Sequence, residues 1–306
     1  EEGAAVSESD RRLLQIRSRK EVQATGVKAL VQTLKERDLA QGKIGLDEGN
    51  LTPGIFDEIK RNLPGAEITD AYRLLQEIRM VKTEEEIERL KKSVGIVEKA
   101  VDTAFILVKD KMTEEELARK FWGVIIEEGG MPVFTAMGFG HRSAYPNVDP
   151  SSKKLQKGEV IRFDVGCTYK GYSSDLARTG IFGSPTEKQA KYYDAILKGE
   201  ERAIEELQPG MKASEAFEIA INTVRAKGIP NYTRHHVGHG IGIELYDPPL
   251  LAPTNEMVVE EGMVLCIETP YYKIGFGGLQ VEDTIVITKA GAEYLTTSSR
   301  ELRTIS

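Results

Sequence analysis

Four acidic residues stand within or beside apolar segments that have the composition of buried β-strands. Asp164 lies in IRFDVG, Glu268 in VLCIETP and Glu282 in LQVEDTIVI, while Asp175 follows a turn at residues 169–171. The turn predicts a hairpin, which would bring Asp175 back beside Asp164. Because a carboxylate is costly to bury without a neutralising cation, the chain must fold so that positive charge reaches these positions.

A histidine in a glycine-rich segment is a candidate partner for these acids. His239 is flanked by Gly238 and Gly240, which permit close backbone approach and unusual dihedral angles. Several carboxylates and one imidazole suit hard or borderline divalent ions such as Mn, Co, Fe or Zn. A single acid in a strand is more often a salt-bridged or edge residue, so the hypothesis of a metal centre depends on the joint pattern.

The bulk properties exclude several classes of function. A formal net charge of −7 argues against a nucleic-acid-binding protein, which normally has a concentrated basic face. No apolar run reaches the ~18–20 residues that span a bilayer, and the first residues lack the features of a secretory signal, so no membrane partner is expected. Two cysteines, Cys167 and Cys266, make no disulfide framework, which favours the cytoplasm; both are interpreted as small buried residues.

A length of 306 residues predicts one large domain and a smaller piece. Periodicity predicts two helices and two strands in the front part, the second helix beginning at Thr52-Pro53. These elements are expected at residues 10–41 (helix), 43–47 (strand), 51–65 (helix) and 66–71 (strand). They indicate part of a small α/β amino-terminal domain over residues 1–80, with the boundary near Val81 inside a charged helical stretch at 71–109.

Residues 81–306 are expected to form a second, larger α/β (α+β) domain. A helix at 113–128 is predicted from the capping box of Thr113 and Glu116. Two strands then follow within residues 159–182, and further helices and strands are expected at 187–207, 213–227, VLCIETPYY and QVEDTIVIT. Helices followed by a strand pair occur twice, which predicts two structurally similar halves.

The acidic and histidine segments together resemble a known family. The order D-x10-D, GHGIG, IE and VEDT, over roughly Glu85 to Thr288, is similar to that of the pita-bread metallopeptidases, which include methionine aminopeptidase, aminopeptidase P and prolidase. The resemblance implies the pita-bread fold for residues 81–306. It also implies that residues 1–80 correspond to the rear half of the small domain of prolidase and its creatinase-like relatives, which are commonly dimers.

The resemblance also implies a role for each matched residue. Asp164, Asp175, His239, Glu268 and Glu282 would hold two divalent ions, with Asp175 and Glu282 as bridging ligands. Glu268 would also take the proton of the attacking water and return one to the leaving nitrogen. The implied reaction is hydrolysis of an amide or similar C–N bond.

The chain departs from the family pattern at three positions near the expected site. Asn147 and Tyr246 stand where prolidase-like enzymes carry histidines, and Gln280 replaces an arginine that often lies two residues before the final glutamate. Asn147 and Tyr246 can still hydrogen-bond a substrate or an oxyanion, although neither shuttles protons as an imidazole does. His235 matches a family position that lines the substrate pocket, whereas His236 is interpreted as a polar loop residue.

Three functions therefore remain open at this point. The first is a metal-dependent peptidase acting on short peptides, including those with proline at the second position. The second is a non-peptidase hydrolase or lyase that cleaves a C–N bond in a small metabolite, similar to an ectoine hydrolase, and the altered Asn147 and Tyr246 favour it. The third is a non-catalytic binding module, which would not need to retain all five ligands.

Overall fold

The computed structural model describes residues 7–9, 11 and 25–306. The chain divides into two compact units, Glu1–Leu75 and Gln76–Ser306. Among the described residues, no helix is both long enough and apolar enough to cross a membrane.

The smaller unit is built on two parallel strands and two helices. β1 (Lys43–Leu46) pairs with β2 (Glu67–Asp70) in parallel, and α2 (Pro53–Asn62) begins at Pro53, as predicted. Of the helix expected at 10–41, the structure describes residue 11 and residues 25–41, where the helix spans Gly26–Glu36; residues 10 and 12–24 lie outside the described part. The elements are α1 (Gly26–Glu36), β1 (Lys43–Leu46), a 3₁₀ turn (Glu48–Asn50), α2 (Pro53–Asn62) and β2 (Glu67–Asp70).

The helical stretch expected at 71–109 is two helices rather than one. The first of them, α3 (Tyr72–Met80), ends at Met80, and the next residue, Val81, forms an isolated β-bridge with Met263. The second, α4 (Glu84–Leu107), begins after Thr83, whose side chain forms a capping box with Glu86. The helices that follow are α3 (Tyr72–Met80), α4 (Glu84–Leu107), α5 (Glu114–Glu127), α6 (Glu187–Glu206) and α7 (Ala213–Ala226). The predicted Thr113 capping box of α5 is confirmed.

One large mixed sheet organises the second unit. Its strand order is β3-β4-β6-β12-β9-β7-β8, with β13 beside β12, β14 beside β6 and β5 beside β4. The bounds are β3 (Met131–Phe139), β4 (Val160–Tyr169), β5 (Tyr172–Ser173), β6 (Leu176–Phe182), β7 (Gly238–Gly240), β8 (Asp247–Leu250), β9 (Val264–Glu268), β12 (Glu282–Thr288), β13 (Gly291–Tyr294) and β14 (Arg303–Ile305). A separate hairpin is formed by β10 (Tyr271–Lys273) and β11 (Gly277–Leu279).

The sheet and its helices fall into two halves along the chain. In the first half α4 and α5 pack together, and a core formed largely by these helices with β3, β4 and β6 includes Phe121 and Phe163. In the second half α6 and α7 pack together, and their core includes Ile196 and Leu265. The two halves meet where β6 pairs with β12. This arrangement matches the predicted repetition of helices and strand pairs, and it brings the acid-bearing strands to the centre of the sheet.

Candidate metal centre

Strand register places the four acids on one face of the sheet. Residues paired across antiparallel strands share a face, as do residues two apart on one strand. Ala177 on β6 pairs with Asp164 on β4 and with Glu282 on β12, and Glu282 pairs in turn with Glu268 on β9. Asp175 stands two residues before Ala177 at the start of β6. The hairpin predicted from the turn at 169–171 therefore does bring Asp164 and Asp175 to the same face.

The same register brings His239 to this face. His239 pairs with Cys266, which lies two residues before Glu268 on β9. A Cβ on Gly238 would stand 2.2 Å from the carbonyl oxygen of Cys266, so only glycine permits β7 to approach β9 this closely. His239 Nδ1 lies 2.9 Å from the Gly240 carbonyl oxygen. Since that oxygen can only accept, Nδ1 carries the proton and Nε2 is left to face the acids.

The side chains converge at a buried cluster. One ligand atom from each of Asp175, His239, Cys266 and Glu282 lies within 4.8 Å of all the others. His239 Nε2 is 3.6 Å from Asp175 Oδ2 and 4.0 Å from Glu282 Oε1. Asp175 Oδ1 and Glu282 Oε1 are buried without a hydrogen-bond partner among the described residues. Orphaned buried oxygens beside an imidazole nitrogen are the donor set that a divalent cation would satisfy.

Asp164 and Glu268 border this cluster and also contact polar side chains. Asp164 Oδ2 accepts from Arg162 Nη1 at 3.1 Å, and Glu268 Oε2 accepts from Gln280 Nε2 at 3.4 Å. Glu268 Oε1 lies 3.3 Å from Nδ1 of His236. The two acids are therefore near the cluster. The charge of Asp164 is partly neutralised by the guanidinium of Arg162, so it does not depend on a metal ion alone.

Burial dominates the electrostatics of the cluster. It raises the pKa of Asp164 to about 7, although Arg162 works in the opposite direction. Burial and the neighbouring Asp175 raise the pKa values of Glu268 and Glu282 as well. Three acids with raised pKa values, grouped with the carboxylate of Asp175, form a site whose charge two divalent cations would neutralise. On donor chemistry and charge, the residues fit the two ions that the resemblance implies.

Two further predicted site residues, Asn147 and Tyr246, line a cavity that Asp164 and Asp175 also line, whereas His235 is not among its lining residues. The cavity has a volume of about 1030 Å³. The ring of Tyr246 stacks on His239, with centroids 3.7 Å apart and planes 18° from parallel. Partial burial and the surrounding carboxylates raise the pKa of Tyr246, so its phenol keeps a proton to donate. Asn147 and Tyr246 thus line the cavity beside the candidate ligands.

The histidine pair before the cluster differs from the sequence interpretation. His236 does lie in a loop, before β7, but it is buried and its Nδ1 lies 3.3 Å from Glu268 Oε1. Burial and the neighbouring His235 and Arg234 lower the pKa of His236 to about 3, which keeps its imidazole neutral. His235 is exposed and packs edge-on against His236, with ring centroids 4.4 Å apart. Because His235 and His236 are neighbours in the sequence, the sequence alone did not indicate which of the two rings is buried.

Cys266 is a second residue whose place the sequence did not indicate. It is buried, as expected, but its sulfur belongs to the cluster of ligand atoms. Burial raises the pKa of its thiol well above the ordinary value, so the group stays protonated and is a poor metal ligand in that form. The alternation of Val264, Cys266 and Glu268 along β9 is the signal that identifies it.

The chain is similar to known proteins in both sequence and fold. The chain matches metallopeptidase family M24 over residues 88–289 and the creatinase/prolidase N-terminal domain over residues 1–81. It is 36% identical to a Xaa-Pro dipeptidase of Pyrococcus furiosus over 257 residues, covering 83% of this chain and 74% of that protein. It is 30% identical to a Xaa-Pro dipeptidase of Lactobacillus delbrueckii, covering 90% and 76%.

Solved structures give the same result. The X-Pro aminopeptidase of Thermotoga maritima superposes with a TM-score of 0.88 at 27% identity, over 96% of this chain and 86% of that one. The prolidase of Pyrococcus furiosus superposes with a TM-score of 0.79 at 33% identity, over 87% and 80%. These likenesses confirm the expected pita-bread fold and favour a peptidase over a metabolite hydrolase. The chain belongs to metallopeptidase family M24, as a prolidase-like, metal-dependent hydrolase.

Proposed function

We propose that this protein hydrolyses the peptide bond before proline in short peptides, with two divalent ions held by five side chains. The proposed ligands are Asp164, Asp175, His239, Glu268 and Glu282. The observation that carries this proposal is a buried cluster in which ligand atoms of Asp175, His239, Cys266 and Glu282 lie within 4.8 Å of one another. One carboxylate oxygen of Asp175 and one of Glu282 have no hydrogen-bond partner among the described residues. The relatives' dipeptidase and aminopeptidase names support the substrate class.

The ions, when bound, supply an acidified water and polarise the scissile carbonyl. Glu268 would accept the proton of the attacking water and return a proton to the leaving nitrogen. The neutral ring of His236 lies beside Glu268, with Nδ1 3.3 Å from Oε1 and without a hydrogen bond to it. Tyr246 can donate its hydroxyl hydrogen to the developing oxyanion, and Asn147 can hydrogen-bond the substrate from the cavity wall.

Metal stoichiometry tests the site directly. Metal-free protein titrated with Mn²⁺, Co²⁺, Zn²⁺ or Fe²⁺ should bind two equivalents. Glu282→Ala should lose at least one of them, while Glu261→Gln, an exposed acid on a nearby turn, should lose none. A wild-type protein that binds no divalent ion under any loading condition would overturn the proposal.

His235 is proposed to bind the carboxylate of a dipeptide substrate. Its imidazole is exposed beside His236 and is therefore accessible to a ligand. His235→Ala should raise KM for Xaa-Pro dipeptides and leave KM for their carboxyl-terminal amides unchanged. An equal rise in KM for both substrates would show that His235 does not bind the carboxylate.

Two further properties are proposed by analogy with relatives. A homodimer is expected, and sedimentation of the purified protein would show a mass near twice 33.9 kDa. A cytoplasmic location is proposed because Cys167 and Cys266 are both free thiols. Fractionation of the source cells would test the location.

A further inference from the structure

Arg162 lies two residues before Asp164 on β4 and is completely buried. A buried guanidinium is costly unless its N–H groups find acceptors. Its Nη1 donates to Asp164 Oδ2 at 3.1 Å and to Gln280 Oε1 at 2.7 Å. Its Nη2 donates to the carbonyl oxygens of Tyr145 and Pro146, both at 2.7 Å. The side chain therefore contacts a proposed metal ligand and a loop at the same time.

Both sets of contacts lead to groups that the reaction needs. Gln280, which accepts from Arg162, donates in turn to Glu268 Oε2 at 3.4 Å. Tyr145 and Pro146 immediately precede Asn147, which lines the substrate cavity. Because the two Nη atoms belong to one rigid plane, their positions relative to Asp164 and to the loop are fixed together.

We propose that Arg162 is a positioning residue that orients Asp164 toward the metal pair through Nη1 and holds the Asn147 wall of the substrate cavity through Nη2. This inference rests on the proposed two-metal site. Its two parts separate experimentally, since the first governs metal affinity and the second governs substrate binding. A single-point ammonium cannot make both sets of contacts, whereas a guanidinium placed at position 280 would lie on the Asp164 side only.

Three variants test the two parts. Arg162→Gln should weaken binding of one Mn²⁺ equivalent roughly 10- to 100-fold, as loss of a group that orients a ligand does, and should raise KM for a Xaa-Pro dipeptide. The double variant Arg162→Gln/Gln280→Arg should regain most of the Mn²⁺ affinity while KM stays high. Arg162→Lys should bind Mn²⁺ nearly as wild type does and show the raised KM.

The outcomes distinguish this inference from the function on which it rests. If wild-type protein does not bind two Mn²⁺ equivalents, the two-metal site itself fails. If wild type binds two and Arg162→Gln binds them equally well, or the double variant is no tighter than Arg162→Gln, the orienting role is overturned. If Arg162→Gln does not fold, Arg162→Lys decides, because an unchanged KM in that variant contradicts the role of Nη2.

Discussion

Tyr246 puts a phenol where prolidase-like relatives are expected to carry an imidazole. Its ring stacks on His239 beside the cavity, and its raised pKa keeps the hydroxyl protonated. Tyr246→Phe keeps the stacked ring and removes only the donor. We expect kcat to fall roughly 10- to 100-fold, toward the lower end of losses for an oxyanion donor because Tyr246 is half exposed.

Metal content and melting temperature should not change in Tyr246→Phe. Tyr72→Phe is the control, since Tyr72 is also exposed and does not line the cavity. Steady-state kinetics on a Xaa-Pro dipeptide measures the effect. Equal kcat values for wild type and Tyr246→Phe would exclude a donor role for this hydroxyl.

Glu200 is a completely buried acid on α6, away from the proposed ligands in sequence. Burial raises its pKa well above the ordinary 4.5, and Asp283 reinforces the shift. The folded state then holds a proton that the unfolded state releases, so this group's contribution to stability falls as pH rises above 4.5 toward the raised pKa. Glu200→Gln cannot ionise, so the variant does not lose stability at this position as the pH rises.

The melting temperature of Glu200→Gln should therefore exceed that of wild type by a margin that grows with pH. The margin should be roughly 2–4 °C for each kcal/mol gained. Glu205→Gln, an exposed acid on the same helix, should show no such trend. A margin that is constant between pH 5 and pH 8 would mean that Glu200 is already ionised in the fold.

At the residue scale, the sequence predicted the acids because carboxylates in apolar strands need an explanation. It did not predict the partners of those acids. Arg162 stands two residues before Asp164 in the same apolar strand, and its role as a partner of that acid was not predicted. His236 lies 32 positions before Glu268 in the sequence, and only the fold shows that the two side chains are close. Cys266 was correctly expected to be buried, but its place in the cluster depends on the pairing of β9 with β7.

At the scale of the elements, β7 depends on glycine for its close approach to β9. A Cβ on Gly238 would meet the Cys266 carbonyl oxygen at 2.2 Å, a backbone atom that cannot rotate away. Gly238→Ala should destabilise the fold by about 1–3 kcal/mol or more. It should also weaken metal binding roughly tenfold or more, because the displaced strand carries His239.

Gly95→Ala is the matched control for this prediction. Gly95 lies in α4, where nothing stands within 4 Å of an added Cβ, so alanine should stabilise the helix by roughly 0.5–1 kcal/mol. Thermal melting and Mn²⁺ titration of both variants measure the two effects. Wild-type metal affinity in Gly238→Ala would show that β7 tolerates displacement.

Element predictions succeeded where a local signal exists. The capping box at Thr113, the proline at the start of α2 and the turn at 169–171 each act within a few residues. β3 was not predicted, since its segment Met131–Phe139 is recognised only through its pairing with β4. The break between α3 and α4 was missed although a local signal exists there, the capping box of Thr83 and Glu86; the bridge from Val81 to the distant Met263 gives no local signal.

At the scale of the whole molecule, the domain boundary near Val81 remains a prediction, and the contacts around it bear on its position. The sequence suggested residues 1–80 and 81–306, whereas the compact units divide at Leu75 and Gln76. Met80 is buried in the core of the larger unit. Arg79 Nη2 lies 2.7 Å from Oδ1 of Asp247, whose side chain is only 1% exposed. The end of α3 thus contacts a residue 168 positions away, which no local pattern reveals.

These contacts predict that residues 76–306 form a more stable fragment than residues 81–306. The shorter fragment loses the burial of Met80, worth roughly 2–5 kcal/mol by analogy with core truncations, and leaves Asp247 with Lys82 as its remaining cationic contact among the described side chains. It should melt roughly 5 °C or more below the longer one. Both fragments retain every proposed ligand and should bind two metal equivalents. Arg79→Gln/Met80→Ala in the whole chain should reproduce the loss, and equal melting of the two fragments would support the boundary at residue 80.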